Sequence, residues 1–549
     1  PTLTHTPLGD VTTSYDALDR PTARTFGTDT TPITTWTYDS ATHGYGRPAT
    51  TTTRTPSPGV ATGYDTYQKR VTGYDPAGRP LSVDEGLSSG FFGGTATDTT
   101  WRTSTYTYLA GGLLSTASYD AVTQDTTTIL PATTLTYTYG NNASLDKIKT
   151  GKVIAADTTY NNIGERINLD STNGATTPLA MTRTYTYDIG TGRRLTEQAD
   201  STGTTAPGTA TALLRQEYTY DKAGNPTRIN HRQQLGTSAS TYTASCYTYD
   251  PAARLKTAVV ATVAAITDLC PADLTGVRSS LTYDYGTAST AGDRLLSVTS
   301  ALDGLTRTYN YAGTGPHQFT SITGNGTGSD PALPAKGTLT WRTDGSGRAA
   351  RWAPTTSRRN ATSVDYSYDT AGRLLATAPS SGATGSTVRN LYDADGNRVA
   401  RATTDPTGAT ATTLYFDDVE IETTKPATGN YSATAARRVI TTPDGTPVAF
   451  QRSNGSGSSG WTWLFADRQN SIRQAVTTSA ALSHNYTPYG APVTNTTTTD
   501  QPGTSGNRGY LNRPHDPTGD IRLDQRTYHP TTATFTAPDP LLDTGSPQS

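Results

Sequence analysis

The chain has 549 residues, a net charge of -2, 33% hydrophobic and 16% charged residues, and a mean hydropathy of -0.55. With no basic block and no apolar run near the roughly 18 residues that cross a bilayer, the sequence argues against nucleic-acid partners, anionic membrane surfaces and a membrane span. The low charge also sets it apart from disordered chains. Tyrosine outnumbers phenylalanine 32 to 8, and threonine is abundant. Both suit pleated, half-buried surfaces, so the expected class is all-β. The modest supply of Leu, Ile, Val and Phe favours a thin, extensive sheet facing water or a lumen over a thick dry core.

In chain order, the sequence opens on Pro1 and not Met, directly before a repeat, and reads as an excised piece. Tyr15-Asp16-Ala-Leu-Asp19-Arg20 is followed by Tyr74-Asp75-Pro-Ala-Gly78-Arg79, Tyr185-Thr-Tyr187-Asp188 and Tyr218-Thr-Tyr220-Asp221-Lys-Ala-Gly224-Asn225. Tyr247-Thr-Tyr249-Asp250-Pro-Ala-Ala253-Arg254, Tyr283-Asp284-Tyr285, Tyr366-Ser-Tyr368-Asp369-Thr-Ala-Gly372-Arg373 and Tyr392-Asp393-Ala-Asp-Gly396-Asn397 continue the series. Each unit reads as a β-hairpin. Tyr-x-Tyr puts both rings on one face of a strand. The Asp bonds to backbone downstream, and Gly three residues later supplies a left-handed conformation. Internal repetition outranks a domain count based on length. Roughly seventeen hairpins at about 4.8 Å per strand would run well beyond 100 Å if laid flat. Sheets of that extent curl or split, and a closed one of that girth is hollow.

Other features point to less. Ala258–Ile266 is too short to span a membrane and reads as a helix or a buried strand. Cys246 and Cys270 would bridge neighbouring hairpins in an oxidising compartment, and without nearby histidines they make no zinc site. Asp393-Ala-Asp395-Gly396-Asn397 lacks the distal ligands of a calcium loop and reads as a turn. The seven histidines are scattered, Gly324–Gly328 lacks the Lys-Ser/Thr of a phosphate loop, and no cofactor or metal is expected. Aromatic stripes would stack on sugars, but packing between hairpins is the simpler role for the tyrosines.

From about Gly460 the texture changes. Phe465-Ala-Asp467-Arg468-Gln-Asn470-Ser471, Tyr486-Thr-Pro488-Tyr489-Gly490, Gly509-Tyr510, Asp516-Pro-Thr-Gly519-Asp520, Arg526-Thr-Tyr528-His529-Pro530 and Phe535-Thr-Ala-Pro538-Asp539-Pro540 are dense in aromatics and turn residues. With the repeats over about residues 11–420, this chain resembles the RHS/YD-repeat family. That family includes bacterial RHS polymorphic toxins, wall-associated proteins, C subunits of insecticidal toxin complexes and teneurins. Residues 460–541 resemble its RHS-associated core. Arg468 stands where the pattern has histidine, Asn470 where it has glycine, Asp520 where it has leucine, His529 where it has aspartate and Thr534 where it has arginine.

The resemblance implies a spiral of YD hairpins forming a hollow shell (residues 1–459), closed at one end by the core (460–549). It implies a C-terminal toxin cargo held inside, a secreted or cell-surface bacterial setting, and a secretion-apparatus or N-terminal plug partner. It further implies aspartate-dependent self-cleavage, in which Arg526 and Asp539 carry the family's catalytic spacing. A second Asp-Pro-x-Gly motif would lie past Ser549, so this chain is expected not to cut itself. The bland reading is a turn at Asp539-Pro540 and a sheet-edge ion pair at Arg526. The alternative function is a cell-surface or wall-associated adhesion protein that binds carbohydrate.

Overall fold

A computed structural model describes residues 2–538 except 7–8, 28, 57–63, 89–98, 125, 176–178, 203–211, 237–238, 287–293, 312–317, 356–362, 370, 382, 418, 427–431, 454–458, 479 and 494–507. The described residues form one 36-stranded sheet, a detached two-stranded hairpin and a three-stranded sheet. The large sheet is a meander. From Thr2–Thr6 to Ala481–Ser483 each strand pairs antiparallel with the next, stepping over the detached hairpin Val122–Gln124/Thr127–Leu130. Pairing continues through residues 460–483 without a break. The ambiguous stretch at Ala258 belongs to the strand Leu255–Val263. The all-β expectation holds.

The repeat motif explains the meander. In the hairpin at Asp369, the Asp369 N–H donates to the Arg373 carbonyl at 2.9 Å and the Gly372 N–H donates back to the Asp369 carbonyl at 2.9 Å. Asp369 Oδ1 accepts from the Arg373 N–H at 2.9 Å, and Oδ2 accepts from Arg373 Nε at 2.7 Å. Gly372 has φ 79°, a conformation that costs a residue with a Cβ more than it costs glycine. Ala253 takes the same place with φ 59°. At Asp393 the carboxylate accepts from the Asp395 and Asn397 N–H groups at 2.9 and 2.8 Å, as a turn requires.

Tyrosine links one hairpin to the last. Eight tyrosines closing a strand, among them Tyr74, Tyr187, Tyr220 and Tyr392, and Tyr311 just past one, donate their hydroxyl to the first carbonyl of the preceding hairpin's return strand. The arginine of one turn also lies over the tyrosine of the next unit: Arg20 over Tyr38 at 4.3 Å, Arg79 over Tyr108 at 4.6 Å and Arg373 over Tyr392 at 5.0 Å. The tyrosine and the arginine of the motif therefore join each hairpin to a neighbour.

The sheet winds back on itself. The Asp417 N–H donates to Glu85 across 332 residues, and Arg183 donates to the Leu464 carbonyl across 281 residues, so the circuit shortens along the chain. Two buried apolar clusters lie where successive circuits overlap, and a third lies within residues 258–374. One cluster joins Ile148, Leu169 and Met181 to Val448, Trp463 and Phe465; another joins Leu87 and Leu130 to Leu391, Leu414 and Ile421. The thin sheet expected from composition is thus doubled along a seam.

Arginines clamp that seam. Arg183, 2% exposed, reaches the Leu464 carbonyl at 2.6 Å and the Val448 carbonyl at 3.0 Å. Arg438 reaches the Pro131 and Asp120 carbonyls at 2.8 and 2.5 Å. A disulfide joins Cys246, on the strand Thr241–Tyr249, to Cys270, with Cα atoms 6.2 Å apart. The pairing that the sequence left open is formed.

Candidate functional site

The C-terminal segment docks where the tyrosine ladder is interrupted. The Tyr285 hydroxyl bonds the Tyr489 hydroxyl at 2.9 Å, and the Tyr368 hydroxyl donates to the Thr536 carbonyl at 3.0 Å. The Ala349 N–H also donates to Thr536, at 2.8 Å. Ion pairs complete the attachment. Asp516 accepts from Arg398 at 2.7 Å and from Arg401 at 3.1 Å. Burial alone would raise the Asp516 carboxyl, but the two guanidinium groups hold it below its ordinary range. Glu420 is likewise opposed by burial and held low by Arg437 and Arg508.

Between this segment and the strands of residues 277–388 lies a cavity of about 550 Å³. Tyr283, Tyr309, Trp352, Tyr366 and Tyr489 contribute its aromatic lining, and Asp520 and His529 its ionisable groups besides tyrosine. Asp520 ends the turn that Asp516 begins, and His529 ends the strand Arg526–His529. Asp520 is 1% exposed. Its Oδ2 accepts from Thr518 Oγ1 at 2.9 Å, while Oδ1 has no hydrogen-bond partner and sits 4.0 Å from His529 Nε2. That separation is too long for a hydrogen bond. Burial pushes Asp520 up to about 7, with the Thr518 bond opposing and Asp516 adding. Burial pushes His529 down to about 4, and His529 Nδ1 bonds Thr532 Oγ1 at 2.8 Å. A neutral imidazole therefore faces a carboxyl poised to ionise near neutrality.

Of the two residues singled out from the sequence, Arg526 lies on the same strand as His529, its guanidinium 3.9 Å from the Phe535 ring centre. Asp539 and Pro540 lie outside the described residues. Sequence reasoning missed Asp520 and His529 as a site. The available signal was that both depart from the core pattern, and the fold brings those two departures together.

These features define the fold of a YD-repeat shell of RHS type. The solved structures it resembles include TcdB2-TccC3, with TM-score 0.61, 16% identity, and coverage of 97% of this chain and 27% of that one. A Photorhabdus luminescens Tc holotoxin pore carrying a TccC3 mutation matches with TM-score 0.63 and 14% identity over 97% of this chain and 28% of that one. TcdB2-TccC3-TEV matches with TM-score 0.60 and 15% identity over 97% and 26%. The chain thus spans about a quarter of the length of these structures. No protein-family model and no curated protein sequence matches it.

Proposed function

We propose that this chain is the shell portion of an RHS-type polymorphic toxin, which encloses a C-terminal cargo and keeps it from its producer. The observation carrying this reading is the winding, in which hairpins about 300 residues apart share buried clusters and arginine clamps, including Arg183 to Leu464 across 281 residues. A sheet built this way surrounds a volume and hides its own long faces. In this reading residues 1–459 form the wall and 460–549 the closing core. Arg526 orients and Asp539 acts in a self-cleavage that needs a second aspartate from downstream sequence. The Cys246–Cys270 bridge fits an exported, oxidising location.

The test is to express the chain with the coding sequence that follows Ser549 in its gene. The expected result is a cargo that resists added protease while the shell is folded and is digested after urea unfolding. Release of the cargo from the polypeptide should stop in Asp539→Asn. Cargo digested at the same rate with and without urea would overturn containment, and cleavage unaffected by Asp539→Asn would remove Asp539 from the chemistry. A downstream wall-anchoring segment would favour the adhesion alternative.

A further inference from the structure

The cavity beside the core holds an ionisable group that neither containment nor self-cleavage uses. Among its described lining residues Asp520 is the only carboxylate, and there is no lysine or arginine. Asp520 Oδ1 is buried without a hydrogen-bond partner, an expensive arrangement unless something else meets it. The surrounding wall is chiefly aromatic and aliphatic, with seven prolines among its described residues. Its size falls in the range of small-molecule sites, roughly 300–1,000 Å³.

The lining narrows the chemistry. A lone acid without a cation repels anions. Calcium and magnesium sites are built on carboxylates and carbonyls held around the ion, and the described lining offers a single carboxylate, with no cluster of three metal-ligating side chains among the described residues. An organic cation matches both halves, with its charge against the carboxylate and its apolar body against rings whose faces attract positive charge. We propose that the cavity binds a small organic ammonium ion with an apolar stem, with Asp520 as the counter-ion and Tyr309, Trp352, Tyr366 and Tyr489 as the wall.

The groups facing Asp520 set the pH dependence. His529 Nε2, at 4.0 Å, comes from the strand Arg526–His529. Tyr366 comes from the strand Val364–Tyr368. Asp516, on the same turn and paired with Arg398 and Arg401, adds to the upward push on Asp520. Asp520 titrates near 7, and the bound state requires its ionised form. A permanently charged ligand should therefore bind about tenfold more tightly at pH 8 than at pH 6.

Isothermal titration of the whole chain with benzyltrimethylammonium, and with neutral benzyl alcohol, tests the assignment. Support requires three results: the cation binds at pH 8 more tightly than the alcohol, binding weakens about tenfold at pH 6, and it weakens at least about tenfold in Asp520→Asn. Asp520→Leu, which replaces the acid with an apolar side chain, is the second variant should the amide not fold. Equal binding of cation and alcohol, unchanged binding in either folded variant, or no binding at millimolar concentration would overturn the proposal and leave a water-filled cavity. None of these readouts depends on a cargo or on Asp539, so containment can fail independently.

Discussion

The turns at Asp75–Arg79 and Asp516–Asp520 share one backbone and serve opposite ends. In the first, the Asp75 N–H donates to the Arg79 carbonyl at 2.9 Å and the Gly78 N–H to Asp75 at 2.8 Å; in the second the equivalent bonds are 2.7 and 2.8 Å. Gly78 and Gly519 have φ 82° and 88°. The carboxylates differ. Asp75 bonds within its own hairpin, to the Arg79 N–H and Nε. Asp516 is buried and turned outward to Arg398 and Arg401 on another part of the sheet. The fifth position also changes, from an arginine that lies over the next tyrosine to Asp520 in the cavity. The same turn is a local brace in one place and an anchor in the other.

The largest test of that contrast is Asp516→Asn. It leaves two buried guanidinium groups without their counter-charge and should cost about 3–5 kcal/mol, read from urea midpoints. The sign with pH follows. Asp516 is held below its ordinary value of 3.8, so its contribution is present above 3.8 and is lost as pH falls through its lowered value. Arg183→Met should cost about 2–3 kcal/mol in the same assay, because the Leu464 and Val448 carbonyls lose their donor at the seam.

Asp520 has the opposite sign. Its value is raised from 3.8 to about 7, so the folded state holds the extra proton, and its contribution falls as pH rises from 3.8 through 7. Thermal midpoints taken from pH 4 to 8 should decline less steeply in Asp520→Asn. Equal slopes would mean that the carboxyl does not titrate in this window. Tyr220→Phe removes the bond to the Arg194 carbonyl, 2.6 Å long, and should cost about 1 kcal/mol. Asp75→Asn should shift the urea midpoint far less than Asp516→Asn, because an Asn side chain still accepts from the backbone, as Asn161 does from the Glu165 N–H at 2.9 Å, and only the partly exposed pair with Arg79 Nε is lost. A loss comparable to that of Asp516→Asn would break the contrast.

The hairpins were legible because their cause is local. Asp369, Gly372 and the tyrosine pair carry turn and facing within ten residues. The need to wind was also legible from strand number alone. The seam partners were not, since Arg183 and Arg438 look like any strand residue until sheet twist, accumulated over hundreds of residues, sets what they meet. The overlap clusters were hidden for the same reason. At the core, Arg526 was placed on a strand whose far end, His529, holds the more unusual chemistry. Asp520 and His529 were each noticed as departures from a pattern, but nine residues of separation gave no hint that they face each other.

The clamps on the seam also impose a schedule. At synthesis rates of roughly 5–20 residues per second, the 281 residues between Arg183 and Leu464 take roughly 14–56 s to emerge. For that interval Met181, Leu169 and their neighbours, buried only once the second circuit arrives, are a ribosome-tethered apolar strip exposed to other nascent chains. Chaperone demand should therefore peak during synthesis of the first circuit and end abruptly once residues 440–476 emerge.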